Sequence, residues 1–212
     1  MKWDAFLKIA GDIPVINTQI LLAGVAKPQS IEVQISRWKK SGKLVQIKRG
    51  VYLLKQAYRK IDVFEPALAA ILKSPSYISL EKALEYHGLI PEGVAVYTSI
   101  TTKRQAKFVS PAGVFAYKHV RSSLFWGYAS VTVNRQTAFF ASPEKALLDL
   151  FYLRKGVISL KYLEELRLQN LEKIDPGRLS EYALKFQTPG ILKAAETLKK
   201  HIGYSRTGEK TL

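Results

Sequence analysis

The chain has 212 residues, 47% of them hydrophobic, enough to bury one large core or two small ones. It carries 33 Lys and Arg against 17 Asp and Glu, a formal net charge of +16, which favours an anionic partner, nucleic acid first and an acidic membrane surface second. It has no cysteine, which excludes disulfides and thiolate metal sites.

In chain order, residues 2–11 place Trp3, Phe6, Leu7 and Ala10 on one helical face, and Gly11 ends the run. Lys8, Asp12 and Pro14 interrupt this stretch, so it does not resemble a signal peptide. No run approaches the ~18 apolar residues of a spanning helix. A soluble, cytoplasmic protein without a membrane partner is expected. Asn17 or Thr18 can cap a second short helix through Leu22, closed near Gly24. Lys27-Pro28-Gln29 turns into a third helix, Ser30 to Gly42, with Ser as cap and Gly as stop. Leu44 to Ile47, a Lys48-Arg49-Gly50 turn and Val51 to Leu54 form a hairpin.

Between Lys27 and Lys60 stand ten Lys or Arg and one carboxylate, Glu32. Residues 1–62 hold 12 basic and 4 acidic side chains; residues 63–212 hold 21 and 13, the same net charge spread over more than twice the length. A basic helix followed at once by a basic-tipped hairpin puts one element in a DNA groove and another on the flanking backbone, so residues 1–62 read as a winged helix-turn-helix. In the third helix Ile31, Ile35 and Trp38 share the inward side. Val33, Ser36, Arg37 and Lys40 share the other. Arg37 is the best base reader, because its fork can bond guanine O6 and N7 together. Ser36 suits a base edge or a phosphate, and Lys40 suits a phosphate. Gln29 and Ser30 sit at the start of the helix, where free N–H groups and the dipole favour an anion. Lys48 and Arg49 are candidates for a backbone or minor-groove wing. Lys43, Lys55, Arg59 and Lys60 extend the strip.

A junction fits 55–62, and residues 63–212 read as a larger mixed α+β domain. Helices are expected over Phe64–Leu72 and Leu80–His87, the second capped by Ser79. Five short strands follow, at 94–101, 107–109, 113–120, 128–133 and 136–141, with a tight turn at Asn134-Arg135, and they are expected to form a small antiparallel sheet. Ser142-Pro143-Glu144 opens a strong helix to Gly156. C-terminal helices fit 160–171, 176–186 and 189–201, with a frayed tail from Gly203.

Glu144, Lys145 and Asp149 invite a nuclease reading, since metal-dependent nucleases cluster carboxylates beside a Lys. On a helix, however, Glu144 and Asp149 lie about 140° apart and share no face. Glu81, Glu85 and His87 invite a metal reading, but Lys82 intervenes and His87 ends the helix. The three histidines show no ligand spacing. No catalytic group, metal site or cofactor is therefore assigned, and the chain reads as a binding protein rather than an enzyme. Lys103, Arg104, Lys107, Lys118 and Arg121, interleaved with Tyr97, Phe108, Phe115, Tyr117, Phe125, Trp126 and Tyr128, make a candidate second basic surface with stacking rings. Alternating aromatics in strands are more often core. Two alternatives remain: an enzyme acting on nucleic acid that the N-terminal unit delivers, and a protein-interaction module.

The segment Trp38-Lys-Lys-Ser-Gly-Lys-Leu-Val-Gln-Ile-Lys-Arg-Gly-Val-Tyr52 resembles the N-terminal winged helix of the AbiEi-type antitoxin and transcriptional regulator family. Ser76-Tyr-Ile-Ser-Leu-Glu-Lys-Ala-Leu-Glu-Tyr-His-Gly-Leu-Ile-Pro91 resembles the segment opening that family's second domain. Thr101-Thr-Lys-Arg104 and Ala141-Ser-Pro-Glu-Lys-Ala-Leu-Leu-Asp149 are similar to its later landmarks. The resemblance covers roughly residues 30–155. It implies an autorepressor of a type IV toxin–antitoxin operon linked to abortive infection. Its winged helix would bind operator DNA, and its second domain would neutralise a nucleotidyltransferase-like toxin.

Overall fold

The structure, a computed structural model, describes residues 2–10, 13–154 and 156–208. The N-terminal unit contains α1 (Trp3–Ala10), β1 (Val15–Asn17), α2 (Thr18–Leu21), α3 (Pro28–Lys40), β2 (Leu44–Lys48) and β3 (Val51–Leu54). Its strands form an antiparallel sheet in the order β1-β3-β2. Asn17 caps α2 by accepting from the Gln19 N–H at 3.0 Å. The strand β1, three residues long, had no periodicity to announce it.

The helix α3 begins two residues before the expected Ser30. Pro28 occupies the first helical position, where its missing N–H costs nothing, and the Ser30 hydroxyl donates back to the Lys27 carbonyl at 3.0 Å. Ser30 is thus inside the first turn rather than a cap. Gly42, at φ +71°, turns the chain out of α3 in a conformation that glycine adopts without strain.

The rest of the chain contains α4 (Glu65–Leu72), β4 (Tyr77–Ile78), α5 (Leu80–Tyr86), β5 (Val96–Thr101), β6 (Ala106–Ser110), β7 (Gly113–His119), β8 (Tyr128–Val133) and β9 (Gln136–Ala141). Then come α6 (Pro143–Leu153), α7 (Leu160–Glu165), α8 (Pro176–Lys185) and α9 (Pro189–Gly208). The expected small antiparallel sheet is instead six-stranded and mixed, in the order β6-β7-β5-β4-β9-β8. β5 runs parallel to β7 and β4 parallel to β9, while the other pairs are antiparallel. The missing piece was β4: two residues are too few for a pattern, yet they join the two halves of the sheet.

Ser142 caps α6 by accepting from the Lys145 N–H at 3.2 Å, with Pro143 behind it. The helix α7 stops at Glu165 rather than Leu171, because Arg167 and Asn170 take left-handed conformations at φ +49° and +53°. The helix α9 runs past the expected His201 to Gly208, burying Ile191, Ala194, Ala195, Leu198 and Ile202 at helical spacing. The expected frayed tail is therefore helical as far as Gly208, and its last four residues lie outside the described residues.

Two clusters of apolar side chains hold these elements. The smaller joins Phe6, Ala10, Ile16, Ile35, Trp38, Leu44 and Leu54 inside the N-terminal unit. The larger runs through the remainder of the chain and also takes in Val15, Ile47, Val51 and Leu53. One face of the three-stranded sheet thus serves α1 and α3, and the other belongs to the core of residues 63–208. This follows from the period-two alternation of Leu53 and Leu54, which send their side chains to opposite faces.

Candidate nucleic-acid interface

The helix α3 is anchored by aromatic packing. Trp38 meets Phe6 at 4.5 Å and Trp3 at 5.0 Å between ring centroids, and Ile35 is buried beside it. This leaves Val33, Ser36, Arg37 and Lys40 exposed along one side, with Gln29 and Ser30 exposed at the helix start. Neither Arg37 nor Lys40 has a carboxylate partner among the described residues. Glu32 lines a cleft of about 460 Å³ between α2, the hairpin tip and Ile71.

The hairpin tip is fastened to α2. Thr18 donates to the Gly50 carbonyl through both its N–H, at 2.9 Å, and its hydroxyl, at 3.1 Å. Gly50 sits at φ +79°, and a Cβ there would lie 3.1 Å from the Thr18 hydroxyl. Arg49 at the tip is exposed. Lys48 is turned the other way: its ammonium donates to the Leu72 carbonyl and lies 5.9 Å from the centre of the Phe108 ring. Desolvation, helped by Lys73 and Lys103, holds its pKa below the ordinary amine range. Lys48 ties the hairpin to the second unit instead of extending toward solvent. Lys43 is half-buried, with its ammonium 4.9 Å from the Trp3 ring centre. Lys39 donates to the Gln46 amide oxygen at 2.7 Å, bracing α3 against β2.

The second set of basic residues is not gathered on one surface. Lys103 lies near Lys48, whereas Lys107 alternates with Phe108 and points to the other face of β6. Lys118 lines a cleft with Glu81 and Arg154, and Arg121 donates to the Phe186 carbonyl at 2.9 Å. Arg104 is exposed beside Lys103. The aromatic residues interleaved with them are largely core. Phe115 and Tyr117 are buried, and Tyr97 stacks on Phe115 at 5.3 Å. Tyr128, the most open of them, stacks on Tyr77 at 4.7 Å.

Glu144, Lys145 and Asp149 are all fully buried. Glu144 accepts from the Asp175 N–H at 3.0 Å and the Ser142 hydroxyl at 2.9 Å, joining α6 to the start of α8. Asp149 faces elsewhere. One oxygen accepts from the Tyr77 hydroxyl at 2.9 Å and the Ser79 hydroxyl at 2.8 Å, and the other pairs with the Lys145 ammonium. Ser79, expected as the cap of α5, spends its hydroxyl on this bond. The Lys145 ammonium is also 4.8 Å from the ring centres of both Trp126 and Phe186. Burial pushes the Asp149 carboxyl above the ordinary carboxylate range, against the pull of Lys145, Ser79 and Tyr77, and it holds Lys145 below the ordinary amine range. Such a closed set offers no surface to a substrate or an ion. Among the described residues no three His, Asp or Glu side chains form a metal-binding group.

The polar cluster was visible in the sequence only as spacing. Lys145 and Asp149 stand four apart on one helical face, and the Tyr77-x-Ser79 pair points to one side of a strand. No single-sequence pattern shows that the two meet. No protein-family model matches the chain, and no curated protein matches it. No helix among the described residues is long and apolar enough to cross a membrane.

Proposed function

We propose that this protein is a DNA-binding transcriptional repressor whose N-terminal unit works as a winged helix-turn-helix. In this reading α2 and α3 are the helix-turn-helix and the β2–β3 hairpin is the wing. The observation that carries it is the row Val33, Ser36, Arg37 and Lys40: exposed, without a carboxylate partner, and on a helix locked from behind by Trp38. A rigid helix that carries an unpaired guanidinium in its last turn, beside Ser36 and Lys40, offers a base reader to a major groove. Arg37 and Ser36 read base edges. Lys40, Arg49 and the α3 start at Gln29 and Ser30 take phosphates, with Lys43 at their margin. Lys48 is left out of the contact set because its ammonium is already engaged at Leu72.

The likeness to AbiEi-type antitoxins extends this reading to an autorepressor of a toxin–antitoxin operon, with the second unit acting against a nucleotidyltransferase-like toxin. Two of the segments that carry the likeness meet in the interior, Tyr77 and Ser79 from one bonding Asp149 from the other. The test is a reporter fused to the promoter of the protein's own gene. Repression by the wild-type chain, and its loss in Arg37→Ala at equal protein level, is the expected result. Repression unchanged in Arg37→Ala and in Ser36→Ala would reject the α3 assignment.

A further inference from the structure

The six-stranded sheet has two edges of different character. β6, at one edge, is flanked by Lys103, Arg104 and Pro111, carries Lys107, and packs against β2 of the N-terminal unit. Charge, proline and cover are the usual means by which an edge strand is kept from pairing further. β8, at the other edge, has no charge or proline within its six residues, Tyr-Ala-Ser-Val-Thr-Val, and the nearest flanking cation is Arg135 at the far side of its turn. Its only strand partner among the described residues is β9.

The outward main-chain groups of β8 follow from its turn. Asn134 and Arg135 both have positive φ, +48° and +62°, and make a two-residue turn that matches the twist of a hairpin. In such a hairpin the closing pair, Val133 and Gln136, exchanges both hydrogen bonds, and the bonded positions then alternate. Gly127 keeps that phase, its carbonyl accepting from the Ser142 N–H at 2.9 Å. Tyr128, Ser130 and Thr132 therefore direct their N–H and C=O groups away from β9. Apolar side chains frame this edge: Tyr128, Val133 and Phe139 are 37%, 41% and 37% exposed.

We infer that β8 is the self-association edge of this protein, pairing antiparallel with β8 of a second copy about a two-fold axis and continuing the sheet across both chains. A second copy fits better than an unrelated strand for two reasons. At a net charge of +16 two copies repel one another, and residues 128–134 form a strip without a cation along which they can touch. Antiparallel pairing of a strand with itself is also an isologous contact, in which each residue meets its symmetry mate's complement without a second evolved surface. The inference does not depend on DNA binding.

The test is sedimentation equilibrium of the full chain across a concentration series at low and high salt, with two variants. Ser130→Pro removes one outward N–H while leaving the β8–β9 bonds in place. Ser130→Lys sets cations facing each other near the axis. The expected result is a dimer that tightens as salt screens the like charges. Both variants should self-associate at least about tenfold more weakly with unchanged circular dichroism. If Ser130→Pro fails to fold, Ser130→Lys decides alone. A wild-type chain that stays monomeric throughout overturns the inference, as does a dimer that a folded Ser130→Lys leaves unmoved. Association seen only after a different protein is added would likewise assign the edge to another partner and overturn it.

Discussion

Lys145 and Asp149 have no contact with solvent, so each charge depends on the other and on the hydroxyls of Tyr77 and Ser79. Asp149→Ala strands a buried ammonium and orphans two hydroxyl donors, and is expected to cost about 3–5 kcal/mol of stability. Asp149→Leu combined with Lys145→Met removes both charges and should cost less than Asp149→Ala alone. Urea unfolding of the three proteins measures this; a double variant no better than the single one would mean that the pair is not coupled. Tyr117 allows a pH test. Burial raises its pKa above the ordinary tyrosine value, and its hydroxyl donates to the Ala69 carbonyl at 2.6 Å. The same holds for Tyr77, with the Asp149 charge as a second cause. A raised pKa means that the folded state keeps its proton after the unfolded chain has lost it. The contribution is thus complete below the unfolded value near 10 and lost as pH rises through the folded value. Stability should fall from about pH 10 upward, and Tyr117→Phe should flatten that fall by up to about 1.4 kcal/mol per pH unit. Denaturant midpoints from neutral pH to alkaline pH give the slopes, and equal slopes would contradict the assignment.

At the scale of elements, the hairpin tip depends on Thr18 and Gly50 together. Gly50→Ala places a side chain at φ +79° against the Thr18 hydroxyl and is expected to destabilise the protein by about 1–2 kcal/mol. It should weaken DNA binding while leaving α3 intact. Thermal unfolding and DNA titration of the same variant separate the two effects; wild-type behaviour in both would show that the hairpin does not need this turn. Elements with several signals acting together were legible in the sequence. The helix α6 had a cap, a proline and an apolar run, and the β2–β3 hairpin had alternation and a basic turn. The elements that escaped were short or set by distant partners. β1 and β4 are three and two residues long. The helix α7 ends at left-handed Arg167 and Asn170, which its apolar pattern did not foreshadow. The Ser79 hydroxyl was expected to cap its own helix and instead bonds Asp149, 70 positions away. The exposed row on α3 was readable because it follows from helical phase alone. The turning of Lys48 onto Leu72 was not, because it depends on how two units pack.

Across the whole molecule, the three-stranded sheet belongs to two cores at once. Val15, Ile47, Val51 and Leu53 face the larger cluster, so the N-terminal unit is braced by residues 63–208 and not carried on a free linker. The chain is expected to unfold by calorimetry in one cooperative transition, and two resolved transitions would contradict a shared core. Such bracing fixes the direction in which α3 faces, which a groove-reading helix requires. The proposed reading of DNA by α3 is tested by fluorescence anisotropy with a duplex from the gene's own promoter, a scrambled duplex and the variants Arg37→Ala and Lys40→Ala. Between about 50 and about 200 mM salt affinity should fall steeply, as the entropy gained by releasing counterions from the phosphates shrinks. Arg37→Ala should lose about 1–3 kcal/mol of preference for the promoter, and Lys40→Ala should weaken both duplexes alike and lower the salt slope by about one. Equal, weak binding to both duplexes that neither variant alters would contradict it.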